Sequence, residues 1–276
     1  MLGSTLVPTL ARSGYEVISF SRGSRAPGAD LTDTDATLRA LDELAPEAIV
    51  NLAALTDVDA CERDPNAAFM ANARPVENIA RWITSRGAAC HLIQVSTDQV
   101  YGGAGPHDED QVALLNYYAF SKYTGELLAR AVPATILRTN LFGRSRCATR
   151  QSLSDWVVAT LRNGTAARVF TDVLFTPLSL ETLSEMICLT LERRSPGLFN
   201  LGCREGMSKA DFAFALGAAL GLPTTCLTRA SSTEAQLAAR RPGDMRMRVT
   251  RFESTFRVRL PTLLSEINRT RDAYAN

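Results

Sequence analysis

The sequence is poor in the residues from which several kinds of site are built. It has two histidines and six cysteines, with no Cys-x-x-Cys pair, and we therefore expect no metal site of cysteine and histidine ligands. Thiols in apolar surroundings, such as Cys90 and Cys188, favour a reducing cytosol over a disulfide framework. No stretch approaches the roughly eighteen apolar residues of a membrane span, and no basic segment before a long apolar run marks an export signal.

An excess of charge of either sign is also lacking. Thirty basic and 29 acidic residues leave a formal net charge of +1, so no bulk attraction favours nucleic acid or an anionic membrane as a partner. The densest basic run, residues 240–248, also contains Pro, Gly and Asp and is interpreted as a solvated loop. Hydrophobic residues make up 46% of the chain, which suits one large domain or two coupled ones.

Lysine is the scarcest charged residue. Of the thirty basic residues only Lys122 and Lys209 are lysine, and the others are arginine. A lysine kept in such a chain indicates a task that arginine cannot perform. Lys122 lies in "LLNYYAFSKYTGELLARA" (114–131), four residues after Tyr118.

Short apolar segments alternate with longer helical patterns along the first half of the chain. The patterns predict strands over 15–20, 47–53, 89–96 and 134–140, and helices over 35–45, 64–87 and 118–131. Nearly continuous apolar strands joined by helices are typical of a parallel sheet covered on both faces and built from right-handed βαβ units. The sequence therefore predicts an α/β fold with a doubly wound parallel sheet.

The pattern changes after residue 142. It predicts helices over 151–164, 179–194 and 208–221, the last with Ser208 as its N-cap, and a strand over 197–203, while the remainder is rich in loops. We predict a larger unit of residues 1–141 and about 177–202, and a smaller lobe of about 142–176 and 203–276. The lobe is expected at the carboxyl ends of the strands, where open α/β sheets bind ligands.

Tyr118 and Lys122 are spaced to share one face of a helix. A phenol with a pKa of about 10 is a poor acid at neutral pH, and a neighbouring ammonium lowers that pKa. The compact lysine charge can also hydrogen-bond a ribose, which the planar guanidinium of arginine would do less well. The alternative interpretation is an incidental pair on an exposed amphipathic helix.

A second polar group stands in "QVSTDQVYGG" (94–103), where a predicted buried strand ends in Ser96, Thr97 and Asp98. Side chains at the carboxyl end of a parallel strand lie at the ligand edge of the sheet. A hydroxyl there can polarise a carbonyl while the tyrosine donates a proton. Capping of the strand end by these residues is the alternative.

Together these residues resemble the extended short-chain dehydrogenase/reductase family, in which a Ser or Thr precedes a Tyr-x-x-x-Lys pair. Thr97, Tyr118 and Lys122 match those positions. The stretches "NLAALTDVDACERDP" (51–65), "NARPVENIA" (72–80) and "ILRTNLFG" (136–143) also resemble the family. Within that family, three motifs are most similar to the dTDP-4-dehydrorhamnose reductase group: "STDxVY", "AAxTxVDxCE" and a late "RRPxxxRM"-like stretch. The resemblance covers essentially the whole chain from residue 2.

The resemblance implies reduction of the 4-keto group of a nucleotide-linked deoxysugar, with the larger unit binding the dinucleotide and the lobe binding the substrate. Thr97 would hydrogen-bond the keto oxygen and Tyr118 would protonate it. Lys122 would hold the nicotinamide ribose and lower the pKa of the tyrosine. The candidate substrate contacts are Thr56, Asp98, Arg144, Trp156 and Arg241, where arginine suits a diphosphate and tryptophan a base. Each of the arginines and the tryptophan is alternatively an ordinary surface or core residue.

The resemblance also places the cofactor. Ser21 and Arg22 follow the first predicted strand, where an NAD enzyme often has an acid, and a basic residue there can meet a 2′-phosphate. We therefore expect NADPH, with NADH as the alternative and an ordinary surface loop as the alternative role of this segment. The other residues implied to contact the cofactor are Leu2, Gly3, Asp30, Leu31, Ala53, Ala54 and Asn72, besides Tyr118 and Lys122.

The start of the chain departs from the family pattern. The family begins with a strand and a G-x-x-G-x-x-G turn that holds the pyrophosphate at a helix N-terminus. Only the last of these glycines, Gly3, is present. We expect the true start to lie upstream and the chain as written to bind the cofactor weakly.

Two other functions are kept open. An epimerase or dehydratase could use the same fold, although a dehydratase usually needs an acid–base pair beside the threonine and Asp98 is followed here by Gln99, not Glu. A non-catalytic, NADP-binding regulatory subunit is favoured by the incomplete glycine turn. The complete set of Thr97, Tyr118 and Lys122 argues against it. The resemblance also leaves a homodimer open.

Overall fold

A computed structural model describes residues 1–20, 29–87, 89–147, 150–235 and 238–275. Its helices are α1 Leu2–Arg12, α2 Thr34–Leu44, α3 Val58–Arg63, α4 Pro65–Asn72, α5 Arg74–Arg86, α6 Tyr117–Ala129, α7 Leu153–Asn163, α8 Leu180–Arg193, α9 Lys209–Leu220, α10 Thr250–Phe256 and α11 Leu263–Thr270. Its strands are β1 Ala48–Asn51, β2 His91–Thr97, β3 Ala134–Thr139, β4 Leu141–Phe142, β5 Ala167–Phe170, β6 Leu174–Phe175, β7 Leu178–Ser179, β8 Gly197–Leu201, β9 Met207–Ser208 and β10 Leu227–Ala230.

The central sheet of the described residues has four parallel strands in the order β1, β2, β3, β8. The side chains of neighbouring residues in one strand lie on opposite faces of the sheet, because the strand is pleated. Leu92 and Ile136 pack in a cluster with α2 and α5, whereas Ile93 and Leu137 pack in a larger cluster with α1 and α8. Helices therefore cover both faces, which confirms the predicted α/β fold with a doubly wound parallel sheet.

Residues 15–20, predicted as a strand, form none. Ile18 is 46% exposed, and Tyr15 and Val17 lie only at the margin of the core. A strand is held by hydrogen bonds to a neighbouring strand. Among the described residues no strand offers the segment that neighbour, so its apolar pattern misled the prediction.

The other predicted elements of the sheet and its helices form within two residues of their expected ends, with one exception. The helix predicted over 64–87 is divided into α4 and α5, because Ala73 is both the C-cap of α4 and the N-cap of α5. Pro75 stands in the first turn of α5, where its missing N–H breaks no intrahelical bond. The division places Asn72 at the end of α4.

The chain beyond residue 141 adds small two-stranded pairs to this framework. β5 pairs with β10, β4 with β7, and β6 with β9. α10 lies in a part predicted to be loops, where Phe252 and Phe256 are one helical turn apart and pack on Phe199 with ring centroids 6.2 and 5.2 Å away. Seven residues are too few for a clear helical period. The division into a larger unit and a lobe stays a prediction.

No helix in the part of the chain that the structure describes is long and apolar enough to cross a membrane. Within the same ranges, no three histidine, cysteine, aspartate or glutamate side chains are grouped as the ligands of a metal would be.

Candidate active site

The carboxyl end of β2 delivers Thr97 and Asp98 to one edge of the sheet. Thr97 is the last residue of the strand, and Asp98 opens the short 3-10 turn Asp98–Val100. The backbone N–H of Gln99 donates to Thr97 Oγ1 at 3.2 Å. The Thr97 hydroxyl in turn donates to Asp98 Oδ1 at 3.3 Å, so the threonine caps the strand end, as the alternative interpretation expected.

Helix α6 brings Tyr118 and Lys122 to the same edge. Asn116 begins the helix, since its Oδ1 accepts the N–H of Ala119 at 2.8 Å, and this fixes Tyr118 in the first turn and Lys122 one turn later. Both side chains are buried, with 7% and 4% of their surface exposed. The pair is therefore not on a solvated helix face.

The position of α6 depends on a close approach to α4. A Cβ atom on Gly125 would lie 2.8 Å from the backbone oxygen of Asn72. The Asn72 amide donates to Ser121 Oγ at 2.8 Å, and its Oδ1 accepts the N–H of Leu55 at 2.8 Å. Asn72 therefore ties the loop after β1 to the helix that carries Tyr118 and Lys122.

Burial dominates the acidity of the Tyr118 phenol. It raises the pKa to about 12, while a side-chain hydrogen bond with Thr97 lowers it and the charge of Asp98 raises it further. This differs from the expectation that Lys122 lowers the pKa of the tyrosine. The physical reason for this difference is that the Lys122 ammonium is engaged elsewhere: its Nζ donates to the backbone oxygen of Val95 in β2, at 2.7 Å.

Lys122 itself is perturbed by its surroundings. Burial lowers the pKa of its ammonium to about 8, and the charge of Glu126, one helical turn further on, acts in the opposite direction. The group therefore titrates near physiological pH, as functional groups often do.

Asp98 is a buried carboxyl with several partners. Burial raises its pKa to about 6, although Asn140 Nδ2 donates to its Oδ2 at 2.6 Å and the charge of Lys209 also lowers the pKa. Both lysines of the chain thus interact with groups at this edge of the sheet. Lys122 is hydrogen-bonded to β2, and the charge of Lys209 interacts with that of Asp98.

A buried ion pair lies beneath the site. Arg138 in β3 and Glu126 in α6 are joined by hydrogen bonds of 2.6 to 3.1 Å, and neither side chain is exposed. Ser96 donates to Glu126 at 2.5 Å, and Arg138 donates to the hydroxyl of Tyr101 at 2.9 Å. The pair connects the sheet to the helix of Tyr118 and Lys122.

The residues expected near the cofactor differ in burial and in their contacts. Ala53 and Ala54 follow β1 and are partly exposed, and a Cβ atom on Gly3 would meet only Leu52, at 3.7 Å. Leu2 is buried as the first residue of α1. Asn78 donates to the backbone oxygen of Leu31 at 2.8 Å.

Three further cofactor candidates remain, and the structure describes one of them, Asp30. Asp30 accepts from the N–H and the hydroxyl of Thr32 at 3.0 and 2.8 Å. Ser21 and Arg22 lie outside the described residues.

The candidate substrate contacts are dispersed. Arg144 donates to the backbone oxygen of Ala273 at 2.9 Å, and Trp156 on α7 is 37% exposed. The exposed Thr56 accepts a hydrogen bond from Arg150 at 3.3 Å. These contacts do not bring Arg144 or Trp156 to Tyr118.

Arg241 has contacts closer to the tyrosine. It forms an ion pair of 3.1 Å with Asp59, which also accepts the N–H of Ala239. Ala239 packs in the small apolar cluster of Tyr118. These contacts therefore bring Arg241 close to Tyr118.

Sequence reasoning missed four residues of this edge. Glu126 and Arg138 could have been noticed as charged residues in an otherwise apolar helix and strand, and Asn140 as a polar residue directly after β3. Lys209 carried the same signal as Lys122, since it is the second of only two lysines.

Comparisons with known proteins agree with this geometry. The family model for the RmlD substrate binding domain matches residues 1–276. A dTDP-4-dehydrorhamnose reductase of Sinorhizobium fredii is 30% identical over 91% of this chain and 87% of its own length. A probable low-salt glycan biosynthesis reductase of Haloferax volcanii, Agl14, is 29% identical over 97% of this chain and 93% of its own.

A solved structure shows the same fold. The crystal structure of dTDP-4-dehydrorhamnose reductase from Bacillus anthracis in complex with NADP superposes with a TM-score of 0.89 at 23% identity, covering 98% of this chain and 94% of that one. Its similarity extends over the sheet, the helices and the part beyond residue 141.

Proposed function

The chain belongs to the RmlD substrate binding domain family, and from this premise we propose how its residues act. It is an NADPH-dependent oxidoreductase that reduces the 4-keto group of a nucleotide-linked deoxysugar, as dTDP-4-dehydrorhamnose reductases do. One observation carries the assignment of residues: Thr97 at the end of β2 lies close enough to Tyr118 in the first turn of α6 to lower the pKa of its phenol, and Lys122 follows one helical turn beyond the tyrosine.

Tyr118 supplies the proton. Because its pKa is about 12, the phenol is protonated at neutral pH and can donate to the keto oxygen of the sugar. As the carbonyl carbon is reduced, the phenolic proton passes to this oxygen, which becomes the product hydroxyl. The Thr97 hydroxyl donates to the same oxygen and polarises the carbonyl. Tyr118 is left as a phenolate, which the contact with Thr97 that lowers its pKa stabilises until a proton returns from solvent.

NADPH, when bound, supplies the hydride that reduces the carbonyl carbon. The residues present fit such a group, because Ala53, Ala54 and Gly3 have little or no side chain where a dinucleotide must approach the backbone. Lys122 would hold the ribose, and Asn72 keeps the loop after β1 in place through its bonds to Leu55.

Asp98 and Arg241 are our preferred substrate contacts. Asp98 follows Thr97 directly and can accept a sugar hydroxyl, and Arg241 lies close to the tyrosine through Asp59 and Ala239. Thr56, Arg144 and Trp156 stay weaker candidates, since the partners of Thr56 and Arg144 lie elsewhere in the chain and Trp156 is exposed.

Gln99 favours reduction over dehydration. Its Oε1 is buried and has no hydrogen-bond partner among the described residues, so it can accept a hydroxyl of the substrate. An amide does not exchange protons as the acid of a dehydratase must. A regulatory subunit without activity would not need Thr97, Tyr118 and Lys122 at one edge.

The assembly and the compartment belong to the same proposal. Tyr117, Phe120 and Leu127 are 47 to 53% exposed on α6, and a second copy of this chain that packs the same face would cover them as a homodimer. The cytosol is the expected compartment, because it supplies both NADPH and nucleotide sugars. Sedimentation velocity of the wild-type chain and a Phe120→Lys variant tests the dimer.

The function is tested by turnover. Consumption of NADPH is followed by absorbance with dTDP-4-dehydrorhamnose as the substrate, and the dTDP-sugar product is identified by mass. A product two mass units heavier than the substrate, with an equal molar loss of NADPH, is the expected result. Loss of water from a dTDP-hexose that still carries its 6-hydroxyl, without net loss of NADPH, would instead identify a dehydratase, and binding of NADPH without any turnover would favour the regulatory subunit.

A further inference from the structure

Lys209 is the second lysine of the chain, and the reaction described above does not use it. It is the first residue of α9, and its backbone N–H donates to the oxygen of Val173 at 2.9 Å. The preceding Ser208 pairs with Leu174 in the short β6–β9 ladder. The position of Lys209 is therefore fixed by the strand at 174–175.

The same strand fixes the segment that carries Arg241. The N–H of Leu174 donates to the oxygen of Gly243 at 2.7 Å, and the N–H of Met245 donates back to the oxygen of Leu174 at 2.9 Å. β6 thus holds the start of α9 on one side and residues 243–245 on the other. Lys209 and Arg241 are brought to one end of the site by this arrangement.

The electrostatic interactions of Lys209 identify what it faces. Burial lowers the pKa of its ammonium, the charge of Asp98 raises that pKa, and the charge of Arg241 lowers it. The Lys209 ammonium therefore interacts electrostatically with both the Asp98 carboxylate and the Arg241 guanidinium. Among the described residues its ammonium has no hydrogen bond and no ion pair.

Arg241 is also incompletely paired. One terminal nitrogen of its guanidinium binds Asp59 at 3.1 Å, whereas Nη1 is buried and has no hydrogen-bond partner in the described part of the chain. Buried cations without partners are costly, and proteins retain them where an anion binds. Asp98 does not meet this need alone, because its Oδ2 is already bound to Asn140 at 2.6 Å.

We infer that Lys209, together with Arg241, binds the diphosphate of the nucleotide sugar. The inference rests on the proposed function, which places the sugar at Thr97, Asp98 and Tyr118 and so puts its diphosphate one sugar ring away. Arg241 suits bidentate contact with one phosphate. The compact ammonium of Lys209 acts as a point charge between the phosphates and Asp98, where a planar guanidinium would fit less well.

The test compares Lys209→Met with the matched control Arg229→Met. Arg229 is exposed and pairs with Asp211 on α9, so its loss removes one positive charge near the same helix without touching the site. The KM values for dTDP-4-dehydrorhamnose and NADPH are measured, and titration calorimetry gives the Kd values for dTDP and for thymidine.

The expected result is specific to the phosphates. Loss of a charge-assisted hydrogen bond should raise the KM of the nucleotide sugar and the Kd of dTDP by about 10- to 100-fold in Lys209→Met. The KM of NADPH and the Kd of thymidine should not change, and Arg229→Met should match the wild type. Lys209→Arg should recover part of the dTDP affinity.

A merely structural lysine would behave differently. Removing a half-buried, unpaired charge should leave the melting temperature of Lys209→Met unchanged or higher, whereas loss of a lysine that holds the fold together would lower the melting temperature. If Lys209→Met does not fold, Lys209→Gln replaces it in the same titrations. Wild-type dTDP affinity in the folded variant would overturn the inference.

Two further outcomes separate the inference from the proposed function. Weaker binding of the complete nucleotide sugar with unchanged dTDP affinity would place Lys209 on the sugar and overturn the diphosphate assignment. If the wild-type protein does not turn over the keto sugar but Lys209→Met still binds dTDP more weakly than the wild type, the diphosphate site is supported. Only the proposed reductase function is then rejected.

Discussion

At the scale of single residues, the site depends on how burial changes the acidity of a few groups. The phenol of Tyr118 is held in its protonated form, which suits a proton donor, and the ammonium of Lys122 is brought to a pKa of about 8. The pKa of the Asp98 carboxyl is raised to about 6. Desolvation is the largest cause for all three, so the enclosure of the site sets their chemistry.

Tyr118→Phe removes the proton donor and little else. The ring still fills the cluster of Val58, Cys61 and Ala239, so the fold and the binding of NADPH should be kept. The kcat should fall by about 10²- to 10⁴-fold, the range of general acid catalysis. Steady-state kinetics and NADPH titration measure the two quantities. A kcat within a few-fold of wild type would exclude Tyr118 as the donor.

The charge of Lys122 should set the alkaline limit of activity. A lysine is charged below its pKa, so the competent form is lost and kcat/KM should fall as the pH rises through about 8. The Glu126 charge raises this pKa, and Glu126→Gln should therefore move the alkaline limb to lower pH. The pH profiles of both proteins, recorded where each is folded, check the prediction. Glu47→Gln, an exposed partner of Arg194, is the control.

An alkaline limb that does not move in Glu126→Gln would assign the titration to a group other than Lys122. Partial unfolding is distinguished from this by circular dichroism at each pH, because it would lower kcat at all pH values and not shift the limb.

At the scale of elements, α6 is the part that assembles the site. Its N-cap, Asn116, receives the N–H of Ala119 and donates to the oxygen of Arg240 at 2.9 Å, so one side chain fixes both the start of the helix and the chain beside it. Gly125 then lets the helix approach α4 closely. Small displacements of α6 would separate Tyr118 from Thr97.

Gly125→Ala should destabilise the fold. The added methyl group would lie 2.8 Å from the backbone oxygen of Asn72, and because a backbone atom cannot rotate away, α6 must shift. Overpacking of this kind costs about 1–3 kcal/mol. Gly3→Ala is the control, since its methyl group has 3.7 Å of room and alanine favours a helix by up to about 1 kcal/mol. Urea denaturation should show opposite signs, and equal stability of Gly125→Ala and wild type would mean that α6 adjusts freely.

The sequence predicted elements well where local pattern and packing agree. Ser208 was expected to begin a helix, and its Oγ accepts the N–H of Asp211 at 2.9 Å. The strand expected over 15–20 was wrong because strand formation depends on a neighbour that local pattern does not reveal. The spacing of Tyr118 and Lys122 predicted a shared helix face. It could not show that Lys122 would bind Val95, since that contact joins parts of the chain 27 residues apart.

At the scale of the whole molecule, one buried polar network joins distant parts of the chain. Arg138 binds Glu126, the hydroxyl of Tyr101 and the backbone oxygen of Glu109. Tyr101 in turn donates to Asn200 in β8. The network therefore connects the sheet, α6 and the loop after β2 directly beneath the catalytic edge. A charged pair in the centre of an apolar sheet is tolerated only because its partners satisfy it.

Breaking this network on one side should unfold the molecule far more readily than removing it whole. Arg138→Met leaves Glu126 charged and without its main partner in the core, at a cost of about 3–5 kcal/mol. The double variant Arg138→Met/Glu126→Met removes both charges and should recover most of that loss. Arg86→Met, which breaks an exposed pair with Asp42, is the control and should cost less than about 1 kcal/mol. Urea denaturation of the four proteins measures these differences in the free energy of unfolding. A double variant no more stable than Arg138→Met would mean that the surrounding hydrogen bonds, rather than the unpaired carboxylate, determine the stability of this part of the fold.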